Sequence, residues 1–479
     1  MKSKNFWFLL FLFFGIINIQ CKKSLYRCRV DDKKIKILPA KNYVKITENH
    51  PAYRRRMDSQ DFGDFHIYLD LVNIKNDIKK FHLEEYESLY INALNKAVKI
   101  LESLLKVKKS HFGYTFKDEQ IEDIQIYDWN KTIVGSNAEG DMASRDIDLI
   151  IFGRFDNQMG GTLASAGPSY EDYENNRPLV GVVNINANIK YSRLNSEYVL
   201  TTLILHEFIH ILGFLKYHFE NYYKNIFSKT DEDGVVRHYI NSPKVLEVAK
   251  KYFNCPTIDG VELEDYGGVE TVGSHWEARI LLGELMNGYI YHDDEVLSEF
   301  TLALLEDTGF YKAKYYTGGL MRFGKGKGCD FVKKKCVNDQ KINPLFANEF
   351  FDNIQSEYII DASCSSGRQS RNYHFFELYV DLPLYYQYFG QEFLGGYSAA
   401  DYCPVSMTSY EENKNNYYVG HCSKMGSGEY GTKIRYPAED EEEPDSIATT
   451  DFQFLYYYNK SADLVDITKK LILKIHFVI

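Results

Sequence analysis

Between Val199 and Leu212 every residue is apolar or threonine except His206, Glu207 and His210, and no proline or glycine occurs from Ser196 to Leu212. Such a run, closed by Gly213, predicts a buried helix. On that helix His206 and His210 stand four residues apart, so both imidazoles leave one face a turn apart and can bind a single zinc ion. Glu207 lies one step round, within reach of a metal-bound water without becoming a ligand. A lone buried histidine is more often a satisfied core residue, but two in an apolar helix with a glutamate between them are costly without a metal. The chemistry this implies is hydrolytic. Zinc lowers the pKa of bound water from about 15.7 to about 7, Glu207 takes the proton, and the metal polarises a scissile carbonyl.

A hydrolytic zinc needs a third protein ligand and an open fourth position. The short pattern H-E-x-x-H-x-x-G-x-x-H would place that ligand at residue 216, but Lys216 stands there, protonated and unfit. His218 is nearby but off the spacing, and His275 lies far downstream in Gly273-Ser274-His275-Trp276-Glu277-Ala278-Arg279. A carboxylate ligand such as Glu220 is a further rival. The residues alone leave the third ligand open.

At 479 residues the chain is long enough for two or three cores of about 100–200 residues each. Hydrophobic residues at 44% and charged residues at 26% fit a soluble globular protein and exclude a wholly disordered or many-span membrane chain. The net charge is −11, and no Lys/Arg stripe interleaves with aromatics, so nucleic acid is not an expected partner.

Lys2 and Lys4 precede an apolar run, Phe6 to Ile19, broken only by Asn18. This run is shorter than the roughly 20 residues that span a bilayer and reads as a secretory signal cleaved near Gln20 or Cys21. The expected location is therefore secreted, extracellular or within the secretory lumen, with the cell surface as a variant. In that compartment the eight cysteines (Cys21, Cys28, Cys255, Cys329, Cys336, Cys364, Cys403 and Cys422) should mostly form disulfides, in a connectivity the sequence leaves open. Asn130 and Asn459 head glycan-acceptor triplets, which carry little weight.

Residues 22–56 are rich in lysine and end in Arg54-Arg55-Arg56, which suggests a prosegment with a processing site, or else a charged loop. Phe65 to Leu71 alternates in the manner of a half-buried strand. Over 83–105, Leu83, Tyr86, Leu89, Ala93, Leu94, Ala97, Leu101 and Leu104 recur at helical spacing. Ile147–Phe152 and Pro178–Ile185 read as strands bounded by turn residues such as Gly153 and Pro168, and Gly160 to Ala166 as an exposed edge strand. Mixed strands and helices argue an α/β or α+β lobe. From about 311 the chain is rich in Tyr, Gly and Cys; Glu439 to Glu443 reads as a solvated loop. Leu471 to Ile479 is apolar but broken by Lys474 and His476, so the C-terminus does not indicate a lipid anchor, and membrane association stays open.

A glycine-terminated H-E-x-x-H helix, a long insert, G-S-H-W-x-x-R at 273–279 and then Glu284-Leu285-Met286 together resemble the leishmanolysin family of zinc metallopeptidases. The likeness extends through Phe152-Gly153-Arg154-Phe155, Gly181 to Ile185, Glu264 to Gly268, Leu304 to Tyr311 and Ser398 to Pro404, roughly residues 60 to 430. The resemblance implies that His275 is the third ligand, beside His206 and His210, and that Met286 is the Met-turn beneath one zinc ion per chain. It also implies an α+β, metzincin-type catalytic lobe, a twisted mixed sheet over an active-site helix, with central and C-terminal lobes. Tyr26 to Asp31 is similar to the family's prosegment motif, in which a cysteine caps zinc in the zymogen, but the flanking histidines are absent, and Cys28 is equally read as a disulfide cysteine.

The expectation is thus a signal at 1–21, a prosegment at 22–56, a catalytic lobe at 57–260, a central lobe with the third ligand and Met-turn at 261–390, and a short C-terminal region at 391–479. The protein is expected to be a secreted zinc endopeptidase with Glu207 as base, acting on peptides laid extended along the edge strand. Its rival from another class is an inactive surface adhesion protein that keeps a structural zinc.

Overall fold

Alternating and apolar-periodic segments become short strands and helices in chain order. Phe62–Asp64 (β1) and Ile67–Asp70 (β2) lead into helices Val72–Lys80 (α1) and Glu87–Leu104 (α2), and α2 runs into Leu105–Lys108 (β3). Leu149–Asp156 (β4), Ala164–Glu171 (β5) and Pro178–Asn186 (β6) precede the helix Glu197–Ile211 (α3). Beyond it come Ile226–Thr230 (β7), Val236–Ile240 (β8), Pro243–Tyr252 (α4), Val261–Leu263 (β9), Ala278–Leu281 (α5), Glu299–Asp307 (α6) and Tyr311–Ala313 (β10). This computed structural model describes residues 62–108, 147–157, 162–171, 176–187, 197–230, 234–267, 271–289, 295–315, 321–338 and 377–408, with shorter pieces between 341 and 417. The expected signal (1–21) and prosegment (22–56), with Cys21, Cys28 and Arg54 to Arg56, lie outside the described residues. So do Gly160, Gly161, Asn130, Asn459, Cys422, the acidic loop 439–443 and the terminus 471–479.

The fold is α+β with several sheets. The one that frames the site has four strands in the order β2-β4-β6-β5, parallel across β2-β4-β6 and antiparallel at β5. An antiparallel sheet joins β1, β3 and β10, and another joins β7, β8 and β9.

Two residues expected to bound strands lie inside them. Gly153 sits within β4 opposite Val183, where Ile74 of α1 lies against it. Pro168 sits within β5 opposite Gly181, just before a register irregularity. A proline is tolerated there because, among the described residues, β5 ends the sheet and no second neighbour requires its missing N–H. The edge strand also runs further than expected, to Glu171, and its side chains from Thr162 to Ser169 are buried rather than exposed. Small residues, Ala164, Ser165, Ala166 and Gly167, let α3 pack on it.

Every residue of α3 from Val199 to Ile211 is buried. By length and composition Glu197–Tyr223 would suffice to cross a membrane, yet 94% of its most apolar window is buried in the protein. Its cover is β5 and β6 on one side and α2 on another. A Cβ on Gly181 of β6 would fall 2.2 Å from Ile211 Cγ2, so only glycine permits this approach. Leu200, Leu203, Ile204, Phe208 and Ile209 are wholly enclosed; each such side chain contributes roughly 1.5–3 kcal/mol relative to exposure. On α2 the buried set is Tyr90, Ala93, Leu94, Ala97, Val98, Ile100, Leu101 and Leu104, with Tyr86 and Leu89 packed at its margin.

Two disulfides resolve part of the connectivity, Cys255–Cys329 and Cys336–Cys403. The side chain of Cys364 lies outside the described residues.

Candidate metal centre

The helix α3 ends in a Schellman turn. Gly213 N donates to the His210 carbonyl (3.0 Å) and Phe214 N to that of Ile209 (3.2 Å), with Gly213 at φ +113°. A Cβ at Gly213 would also lie 2.6 Å from Tyr223 Oη and 3.1 Å from His218 Nδ1, so conformation and space both require glycine. This turn aims the Phe214 carbonyl back at His210, whose Nδ1 lies 2.7 Å from it.

His275 arrives on an extended segment held on both sides. Glu264 N donates to the His275 carbonyl (2.9 Å), Trp276 N to the Met286 carbonyl (2.9 Å) and Glu277 N to the Glu262 carbonyl (3.1 Å). His275 Nδ1 lies 2.9 Å from the Thr271 carbonyl, across a turn that places Gly273 at φ +78°. His206 Nδ1 lies 2.6 Å from the Leu285 carbonyl. Each Nδ1 therefore faces an oxygen that can only accept, so each carries the hydrogen and leaves Nε2 with a lone pair.

Those lone pairs converge. His210 Nε2 is 3.0 Å from His206 Nε2 and 3.2 Å from His275 Nε2. Burial pushes the His206 imidazole down to about 4 and that of His275 to about 3, in the latter case with help from His206. His210 is driven well below its ordinary value by burial and by its two neighbours. Three neutral imidazoles turned edge to edge in a dry interior repel unless a cation stands between them. The corners of a tetrahedron with zinc–nitrogen bonds of about 2.0–2.1 Å are about 3.3 Å apart, so this donor set fits zinc.

Glu207 is fully buried on the same turn as His206. Met286 is fully buried, its N–H donating to the Glu284 carboxylate and its carbonyl taking the Trp276 N–H. Glu284, to which sequence reasoning gave no role, also accepts from Ser298 Oγ (2.7 Å) and Thr301 Oγ1 (2.5 Å). Thr301 in turn accepts from Trp276 Nε1 at 2.9 Å. Its charge in so apolar a stretch, and its place in the Glu284-Leu285-Met286 motif, were the available signals.

The rival ligands lie elsewhere. Lys216 packs its stem against Gly273 and its ammonium lies 3.9 Å from Glu220, a surface pair. His218 is buried with Nε2 2.5 Å from Glu171 Oε1, tying the end of β5 to the segment after α3. Cys28 lies outside the described residues.

A family profile described as leishmanolysin matches residues 83–427. A leishmanolysin homolog from Crithidia fasciculata is 33% identical over 282 residues, covering 56% of this chain and 38% of that protein. The leishmanolysin of Leishmania tropica is 33% identical over 252 residues, 49% of this chain and 34% of its own length. A leishmanolysin-like peptidase of Caenorhabditis elegans is 28% identical over 331 residues, 57% of this chain and 50% of its own. The chain thus spans a third to a half of the length of these relatives.

Proposed function

Because this chain belongs to the leishmanolysin family, we propose that it is a secreted zinc metalloendopeptidase whose metal is held by His206, His210 and His275 and whose general base is Glu207. The observation that carries this reading is the convergence of three Nε2 atoms whose Nδ1 partners are all backbone carbonyls. Zinc, when bound there, supplies Lewis acidity, which acidifies water and polarises a carbonyl.

The chain's own residues do the rest. The carbonyls of Leu285, Phe214 and Thr271 fix the ring orientations, so little reorganisation is left to the chemical step. Glu207 takes a proton from the attacking water on its carboxylate and returns it to the leaving amine, with no covalent acyl intermediate. Full burial keeps that carboxylate out of bulk water. Met286 forms the floor of the site through the backbone ladder that also carries His275. Extended peptides pair with β5, backbone to backbone, in a metzincin-type lobe.

The test is zinc stoichiometry together with casein cleavage, with and without chelator and in Glu207→Ala. One zinc per chain, cleavage abolished by chelator and a loss of about 10²–10⁴-fold in Glu207→Ala are expected. Cleavage indifferent to both treatments overturns the reading. Surface adhesion surviving Glu207→Ala, without any peptidase activity in the parent chain, would favour the structural-zinc alternative.

A further inference from the structure

Behind His275 a second set of charges is buried. Glu262, Glu264, Glu277 and Asp401 are almost wholly enclosed, and Asp265 is largely so. Arg237 Nη1 lies 2.6 Å from both Glu262 Oε1 and Asp401 Oδ2. Arg279 reaches the same two groups, with Nη2 2.5 Å from Glu262 Oε2 and Nε 3.1 Å from Asp401 Oδ2. Two guanidiniums thus neutralise two carboxylates.

Glu264, Asp265 and Glu277 are left over, with Arg237 3.4 Å from Asp265. An oxygen of each lies within 4.8 Å of the other two. Glu264 Oε1 accepts from Tyr266 N and Glu277 Oε1 from Arg279 N, both at 2.8 Å. Among the described residues the remaining oxygen of each, Glu264 Oε2 and Glu277 Oε2, has no hydrogen-bond partner, although both side chains are fully buried. Two bare carboxyl oxygens in a dry interior beside a third are costly unless protonated or met by a cation.

We propose that Glu264, Asp265 and Glu277 form a calcium site separate from the histidine centre. The donors are hard oxygens, which exclude a preference for zinc. Three carboxylates within 4.8 Å of one another suit calcium, which accepts irregular carboxylate cages; magnesium demands an octahedron and keeps several waters. Glu264 donates its N–H to the His275 carbonyl and Glu277 follows His275 by two residues, so a cation here stiffens the segment that presents His275.

The experiment titrates calcium chloride into the full chain after chelator treatment, once zinc-free and once reloaded with one equivalent of zinc. Heat of binding and thermal midpoint are followed, with magnesium chloride in parallel. One saturable calcium site per chain and a midpoint that climbs with calcium but not with equal magnesium are expected, with or without zinc. Glu264→Gln and Glu277→Gln keep the oxygen that accepts from the backbone but remove the charge. Each weakens calcium binding by about a hundredfold or more while the zinc equivalent is retained, because losing a direct ligand exceeds the ~10–100-fold effect of losing an outer partner. No saturable calcium heat and no midpoint response in the unaltered chain overturn the proposal, whether or not either variant folds. Magnesium binding as tightly as calcium, or variants that bind calcium as the parent does, overturn it as well. The zinc-free arm keeps this result distinct from failure of the peptidase reading.

Discussion

His275 Nε2 lies 3.2 Å from His210 Nε2 although 65 residues separate them in the chain. Removing the His275 ring leaves two nitrogens on one helix, too few for a structural or catalytic zinc site. His275→Ala is expected to drop zinc content from one per chain to near zero after dialysis, whereas Glu220→Ala, a change to an exposed surface pair, keeps it. Elemental analysis of both variants reads the difference. Retained zinc in the first or lost zinc in the second would transfer the third-ligand role.

Gly213→Ala forces a side chain into φ +113° and into contact with Tyr223 Oη. The strain should destabilise the fold by about 2 kcal/mol, read as a lower urea midpoint. It also displaces the Phe214 carbonyl that orients His210, so zinc affinity should fall about 10–100-fold in a chelator competition. Unchanged affinity alongside lowered stability would show that the turn serves folding alone.

Glu284 is fully buried, and desolvation raises its carboxyl to about 7 against the four donors that hold it. Its folded value stands above the unfolded value of 4.5, so the native state keeps a proton that the unfolded chain releases between these limits. The stabilising contribution is complete below about 4.5 and is lost as pH rises through 7. Glu284→Ala should therefore cost about 3 kcal/mol at pH 5, and the gap from the parent should narrow toward pH 8 by at most about 1.4 kcal/mol per unit. Urea unfolding at the two pH values measures it. A gap that widens with pH would reverse the assignment.

The two disulfides close separations of 74 and 67 residues. In the chain-entropy picture each contributes about 4 kcal/mol by restricting the unfolded chain. Replacing Cys336 and Cys403 together by serine should lower the thermal midpoint under non-reducing conditions, and dithiothreitol should bring the parent chain down similarly. A parent indifferent to reductant would mean that the bridges are absent in solution.

The helical part of the centre was legible in the residues because its information is local. Four-residue spacing and an unbroken apolar run place His206 and His210 on one turn of a buried helix in any globular setting. Strand boundaries were less legible. Gly153 and Pro168 act as turn residues in isolation, but the first lies where Ile74 packs and the second where a sheet ends, and neither circumstance is written in the neighbouring residues. Residues alone left His218, Glu220 and His275 in competition; only family likeness favoured the last.

Periodicity and residue chemistry by themselves therefore determined that this chain builds a buried helix bearing two imidazoles and a carboxylate, within a body of mixed strands and helices. Tertiary structure decided which distant imidazole meets them, which carbonyls hold the three rings, and that Glu264, Asp265 and Glu277 are enclosed together. Helical spacing repeats over a few residues and is encoded there, whereas a meeting between segments, and the desolvation that comes with it, depends on how every intervening element packs.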